Sequence, residues 1–199
     1  MKGFFASRHQ AVSVDIESVM QATGTPTLSL DQVYRQHAGD VTRWATRLTG
    51  NPDEALDITH EVFCVAQRRL SSFRPDSAKV STWLFSITRN LSNSRRRHQR
   101  LKERLFTPLD ETSAEVPSAH RAPDEALHTA RQAEQCYRVL DRLNEASRTV
   151  LVLFELEGYS GEQIAELTGT KVGTVWVRLH RAREQFLRQH RELEKAGQL

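Results

Sequence analysis

Between Phe106 and Glu125 the chain reads FTPLDETSAEVPSAHRAPDE, with three prolines and a run of acidic residues against one arginine. Proline fixes φ and lacks an amide donor, so no regular element passes unbroken through such a stretch. Its composition is that of a linker. It divides the 199 residues into two units, each of which must close a core of its own. Strand-like alternation of useful length is absent from both; apolar residues recur at intervals of three and four. The expectation is an all-α fold: two helical domains joined by a flexible acidic linker.

Apolar residues make up 38% of the chain and charged residues 27%, which suits modest cores under charge-rich helices. The net charge is only +3, so the placement of the basic residues matters more than their excess. Cys64 and Cys136 lie too far apart for a disulfide framework or a repeated CxxC zinc pattern, which predicts a reducing, cytoplasmic setting. The first twenty residues hold no uninterrupted apolar core of signal-peptide length, and no window approaches the roughly 20 apolar residues of a membrane span. No cofactor and no bound metal are expected.

The first helix is expected to start at the S-x-x-Q capping box of Ser29 and Gln32. It carries Leu30, Val33, Tyr34, Val41, Trp44 and Leu48 at mostly helical spacing. Gly50 to Glu54, GNPDE, is a stop followed by a new start. In the next helix, from about Asp53 to Leu70, the residues Leu56, Thr59, Val62, Phe63, Ala66 and Leu70 share one side. Asp53, Asp57, His60, Glu61, Cys64 and Arg68 fall on the other. A loop from Phe73 to Lys79 precedes a third helix, from about Ser81 to Arg100. Trp83, Leu84, Ile87 and Leu91 read as core there. Arg89, Asn90, Arg95, Arg96, Arg97 and Arg100 are positioned to meet a phosphate backbone, and the preceding loop to hold an unstacked base.

Beyond Asp124 the helical pattern resumes and contains the grammar of a helix-turn-helix. Ser160 and Gln163 form a second capping box, Ile164, Ala165 and Leu167 a short apolar face, and Gly169 the tight turn. Val172, Val175, Leu179, Ala182 and Phe186 then make a core stripe. The outward face holds Thr174, Val177, Arg181, Gln185 and Arg188, with Arg178 beside them. Such a helix lies in a major groove, its early residues near base edges and its later arginines near phosphates. Trp176 falls at the margin of the two faces. It either packs on the domain rim or touches DNA or polymerase.

Three stretches, ALDITHEVFCVAQRRLSSFRPD, STWLFSITRN and LNEASRTVLVLFELEGYSGEQIAELTGTKVGTVWVRLHRAR, together resemble the sigma-70 family, and within it the extracytoplasmic-function group. The resemblance spans about residues 29 to 190. It implies an N-terminal extension at 1–28, a region 2 domain at 29–102, a linker at 103–130, a region 4 domain at 131–191 and a tail at 192–199. It implies a non-enzymatic subunit that binds RNA polymerase core and directs promoter recognition. Asp53, Asp57, His60, Glu61, Cys64 and Arg68 match the helix that binds the β′ clamp helices. Lys79, Ser81, Thr82, Trp83, Arg89, Asn90, Arg95 and Arg96 match the reader of the −10 element, where a base is flipped at a cost of a few kcal/mol. Thr174, Val177, Arg178, Arg181, Gln185 and Arg188 match the −35 reader, whose domain also meets the β flap. The acidic linker would thread toward the active site.

Three departures alter the expected contacts. His60 stands where the family usually has Gln, Ser81 where an arginine is usual, and Trp176–Val177 where a Lys-Ser pair commonly follows Gly-Thr-Val. Val177 remains outward, able to touch a thymine methyl. The family also implies an anti-sigma factor, clamping the two domains into a closed arrangement that hides both DNA faces, with the active form monomeric and not inserted in a membrane. The rival readings are a stand-alone helix-turn-helix regulator, a sigma-like protein that no longer initiates, and a zinc enzyme built on His60 and Cys64 of HEVFC.

Overall fold

The computed structural model describes residues 28–74, 79–106 and 124–197. The N-terminal extension, the tip of the loop at 75–78 and the linker between 107 and 123 lie outside the described residues. Among the described residues there is no strand, in keeping with the all-α expectation.

The first bundle is α1 (Leu30–Thr49), α2 (Pro52–Arg69) and α3 (Val80–Phe106), with a 3₁₀ turn at Leu70–Ser72. Ser29 and Gln32 form the expected reciprocal capping box at the start of α1. Gly50 ends the helix in the left-handed region at φ 84° and donates its N–H to the Thr46 carbonyl. Asn51 then caps α2 by accepting from the amides of Asp53 and Glu54, with Pro52 at the first helical position, where its missing donor is not needed. Trp44 from α1 meets Phe85 from α3 edge-on, ring centres 5.2 Å apart, and Ile58, Val62 and Ala66 close the core from α2.

Two residues assigned to this core by their spacing lie outside it. Leu56 is 62% exposed and Tyr34 52% exposed, while Ala55 and Ile58 take the inward positions on α2. Leu56 sits at the edge of the apolar stripe and faces solvent. Tyr34 lays its ring edge against Phe63, centroids 4.8 Å apart, and leaves the rest in solvent. The basic helix also continues beyond the predicted end near Arg100, as far as Phe106. Leu101 and Leu105 on this extension are exposed.

The second bundle is α4 (Asp124–Asp141), α5 (Glu145–Leu151), α6 (Gly161–Thr168) and α7 (Val172–Lys195). A single π-turn at Val152–Leu156 continues α5. The helix-turn-helix forms as its residues dictate. Ser160 and Gln163 make the capping box of α6, and Gly169 takes φ 63° between α6 and α7. Val175, Leu179 and Ala182 of α7 are buried, with Val172 and Phe186 half-buried beside them.

The two bundles pack together, α3 against α6 and α1 against the π-turn. Ion pairs and side-chain hydrogen bonds cross the seam, and the buried apolar residues of the two bundles form one continuous cluster. Tyr137 of α4 covers Gly50, where a Cβ would come within 2.6 Å of its ring. Gly169 has the same positive φ but open space around it. Gly169→Ala is therefore expected to cost only the backbone strain, about 1–2 kcal/mol, whereas Gly50→Ala adds a ring clash and costs about 2–4 kcal/mol. Urea unfolding of both variants checks the difference, and adding Tyr137→Ala to Gly50→Ala removes the excess.

Candidate nucleic-acid interface

The recognition helix opens only part of the face its spacing predicts. Val177, Arg181 and Arg188 are exposed and Thr174, Arg178 and Gln185 are half-buried. Trp176 resolves toward packing. Its indole covers Gly161 at the first turn of α6, where a Cβ would approach it to 2.6 Å, and meets Phe154 edge-on at 5.7 Å. The Arg183 guanidinium lies 5.2 Å from the Phe154 ring centre and pairs with Glu155 at 2.6 Å. Trp176 thus fastens α7 to α6 and the π-turn, although 44% of it stays exposed. Arg178 does not share the open face with Arg181. It lines a cleft of about 210 Å³ between the bundles, opposite Arg89, Asn90 and Asn93 of α3.

The residues matched to −10 reading are not gathered on one open surface. Trp83 stacks on Phe73, centroids 4.7 Å apart, which holds Phe73 against the start of α3. Ser81 and Thr82 are half-buried beside it. Lys79 reaches across the seam to Glu166 at 2.6 Å, and the Thr82 hydroxyl lies 3.5 Å from the Glu166 carbonyl. Arg89 is half-buried and Asn90 exposed. Arg95 points to Glu61 of α2 at 3.6 Å.

Arg96 departs most from expectation. Read as a phosphate partner, it is buried instead, donating to Asp141 of the second bundle from Nε at 3.2 Å and Nη2 at 3.1 Å. Its neighbour Arg97 pairs with Glu145 at 2.9 Å, and Arg100 reaches the Asp141 backbone carbonyl. The Asp141 carboxylate also accepts from Arg148 Nη1 at 2.9 Å. Arg148, only 1% exposed, also donates to the Leu48 carbonyl, 3.2 Å from Nε and 2.9 Å from Nη2. That carbonyl is one of those left open at the end of α1, so a side chain of one bundle caps a helix of the other. Burial, then the charge of Arg96, lowers the Arg148 pKa to about 10, with Asp141 opposing; the side chain remains a cation at neutral pH. Burial likewise lowers the Arg96 pKa against the pull of Asp141.

A second knot lies at the π-turn. Glu157, its side chain 4% exposed, accepts from Arg43 at 2.6 Å and from Arg47 at 3.0 Å. The Tyr159 hydroxyl accepts from Trp44 Nε1 at 3.1 Å and from Arg43 at 3.3 Å. The Tyr159 contact first, and then Glu157, raises the Arg43 pKa against its partial burial. None of Asp141, Arg148, Glu157 or Tyr159 was among the candidate site residues. One signal was present: Arg148 precedes Leu151 and Val152 by three and four residues, which places a cation on an apolar helical stripe.

The polar stripe of α2 faces solvent, with Asp53, Asp57, His60 and Arg68 exposed and Glu61 and Cys64 half-buried. Cys64 Sγ lies 3.6 Å from His60 Nε2. Among the described residues, no three His, Cys, Asp or Glu side chains converge as a metal site. Cys136 is half-buried on α4, where burial raises its thiol pKa. No described helix is long and apolar enough to cross a membrane.

The family model for sigma-70 region 2 matches residues 33–101 and that for sigma-70 region 4 matches residues 133–186. Among curated proteins, the chain is 36% identical over 173 residues to the ECF RNA polymerase sigma factor SigE of Mycolicibacterium smegmatis, covering 85% of this chain and 65% of SigE. It is 33% identical to the ECF RNA polymerase sigma factor EcfG of Rhodopseudomonas palustris, covering 72% of this chain and 75% of EcfG. Among solved structures it is similar in fold to the sigma factor RpoE of Bartonella quintana, determined in complex with the anti-sigma factor NepR. The TM-score is 0.51 at 24% identity, over 80% of this chain and 94% of that one. With both regions matched in order and relatives above 30% identity covered over most of their length, the chain belongs to the sigma-70 family, in its extracytoplasmic-function group of RNA polymerase sigma factors.

Proposed function

We propose that the chain binds bacterial RNA polymerase core and directs it to promoters carrying two separate elements. The observation that carries this reading is the α7 surface. After a capped α6 and a Gly169 turn, it offers Val177, Arg181 and Arg188 to solvent, and the two arginines have no acidic partner among the described residues. Cations left unpaired on a helix of this kind suit a phosphate backbone. In this reading Thr174 and Val177 lie at base edges, and Arg178, Arg181, Gln185 and Arg188 hold register on the backbone. The α2 stripe of Asp53, Asp57, His60, Glu61, Cys64 and Arg68 meets the β′ clamp helices. Lys79, Ser81, Thr82, Trp83, Arg89, Asn90 and Arg95 serve the melted −10 strand, with Arg96 held on Asp141 beside them. The polymerase makes the bonds and this subunit supplies specificity.

An anti-sigma factor is proposed as a further partner, in line with the NepR complex of the Bartonella protein. The apolar cleft lined by Leu140, Val152, Leu156, Phe186 and Leu187 offers a surface for polymerase or regulator.

Reconstitution with bacterial core polymerase on fragmented genomic template, followed by sequencing of transcript ends, tests the reading. Discrete start sites sharing two upstream elements are expected. Tight core binding without start sites would favour a degenerate partner protein, and no core binding an independent DNA-binding regulator. On a duplex bearing the mapped −35 element, Arg181→Ala is expected to weaken binding by about 1–3 kcal/mol and to flatten the salt dependence, read by fluorescence anisotropy across a salt series. Trp176→Ala is expected to lower the stability of the second bundle by about 1–3 kcal/mol, read by urea unfolding. A Trp176→Ala protein of unchanged stability that bound the −35 duplex more weakly would instead make the indole a DNA contact.

A further inference from the structure

The cleft of about 210 Å³ lined by α3, α5 and α7 holds two guanidinium groups that nothing in the fold neutralises. Arg89 comes from α3 and Arg178 from α7. Both are half-buried, and neither has a hydrogen-bond or ion-pair partner among the described residues. Elsewhere between the bundles the arginines are met: Arg96 by Asp141, Arg43 and Arg47 by Glu157. The acid in the wall of this cleft, Glu145, is already taken by Arg97 at 2.9 Å. Two cations lining one confined space repel, and partial burial strips each of some hydration. A cleft lined by one sign of charge also focuses the field on whatever enters it.

Asn93 adds a second, independent sign of a ligand. It is only 6% exposed, it lines the same cleft, and its side-chain amide has no hydrogen-bond partner among the described residues. Buried polar side chains are nearly always hydrogen-bonded, so the partner of this amide is something that enters the cleft. The hydroxyls nearby are committed, Thr149 to the Glu145 carbonyl at 2.7 Å and Thr168 to the Ile164 carbonyl at 2.6 Å. The uncommitted donors are therefore the two guanidinium groups and the amide. We infer that this cleft binds a single phosphate group, free or at the end of a phosphate monoester, with Arg89 and Arg178 as charged donors and Asn93 as a neutral one. A phosphate dianion balances both cations, which one carboxylate does not. The volume lies below the roughly 300–1,000 Å³ of pockets that enclose a drug-sized ligand, so the cleft takes the anionic group and not a whole cofactor. Because the donors belong to α3 and α7, an occupied site stabilises the folded chain as a whole. Arg89 and Arg178 are also proposed DNA contacts, so phosphate and a nucleic-acid backbone compete for them.

The test is a calorimetric titration of the full chain with sodium phosphate at mildly alkaline pH, where phosphate is mostly the dianion, with sodium chloride holding the ionic strength constant. A single saturable site is expected, together with a Tm that rises with phosphate and not with chloride at the same ionic strength. Arg89→Gln and Arg178→Gln are each expected to weaken phosphate binding about tenfold, the loss of a hydrogen bond to a charged group. Arg181→Gln removes the same charge from the exposed face of α7, outside the cleft, and is expected to change the affinity less than about twofold. Adenosine monophosphate separates the two sources: binding as tight as that of phosphate shows that an ester end is accepted, and its failure to bind confines the site to the free anion. Absence of saturable phosphate binding, or equal affinities in the Arg89→Gln, Arg178→Gln and Arg181→Gln proteins, would overturn the inference. Circular dichroism checks that each variant folds. If a glutamine variant does not, Arg89→Lys carries the test, because it keeps the charge but loses the paired donors and is expected to bind phosphate more weakly than the parent chain. No polymerase and no DNA enter these measurements, so a failure of the sigma reading would show separately, as absent core binding.

Discussion

The Arg148 guanidinium joins the two halves of this molecule. It is a full cation with almost no exposed surface, and such a group is tolerated only when its donors are met. Two of its nitrogens donate to the Leu48 carbonyl and a third to Asp141. The carbonyl is available because α1 ends at Gly50, whose left-handed turn leaves carbonyls of the last turn without intrahelical partners. Asp141 is in place because α4 ends beside it, and the same carboxylate collects Arg96 and Arg100 from α3. Tyr137 lies over Gly50 within reach of Arg148, 5.7 Å from its ring centre. A turn at one helix end and an acid at another thus decide how the bundles sit.

The same economy shapes the nucleic-acid surfaces. Arg181 and Arg188 on the outer face of α7 have no acidic partner among the described residues, while Arg96, Arg97 and Arg100 near the end of α3 are held by the opposite bundle. Replacement of the usual Lys-Ser pair by Trp176–Val177 also gains a physical account. The indole is committed to Gly161 and Phe154, so the recognition helix is anchored more firmly to α6 at the loss of one ammonium group. Gly161 belongs to this arrangement, since any side chain there would displace the ring. Val177 is left as the apolar residue that faces outward.

Most of the helices could be read from the chain because their signals are local. Capping boxes at Ser29 and Ser160, the turn at Gly169 and the GNPDE break all act within four residues, and each appears where it was expected. The polar stripe of α2 and the outer face of α7 follow from helical periodicity, as do most of the buried positions. Periodicity failed at margins. Leu56 and Tyr34 lie at the edge of a stripe, and whether an edge is covered depends on the reach of a neighbouring helix. It also failed for the length of α3, which runs past the basic cluster to Phe106, with Leu101 and Leu105 exposed along the way.

The sequence by itself determined an all-α chain, a helix-turn-helix and two clusters of cations, because helix formation and its punctuation depend on residues one turn apart. Only the tertiary structure decided which of those cations are free. Arg95, Arg96 and Arg97 are consecutive and chemically identical, yet one faces Glu61, one is buried on Asp141 and one pairs with Glu145. Their partners lie 34, 45 and 48 residues away. No local pattern encodes such pairings, because successive helical positions point about 100° apart and each meets whatever the packing of separate helices brings to that side.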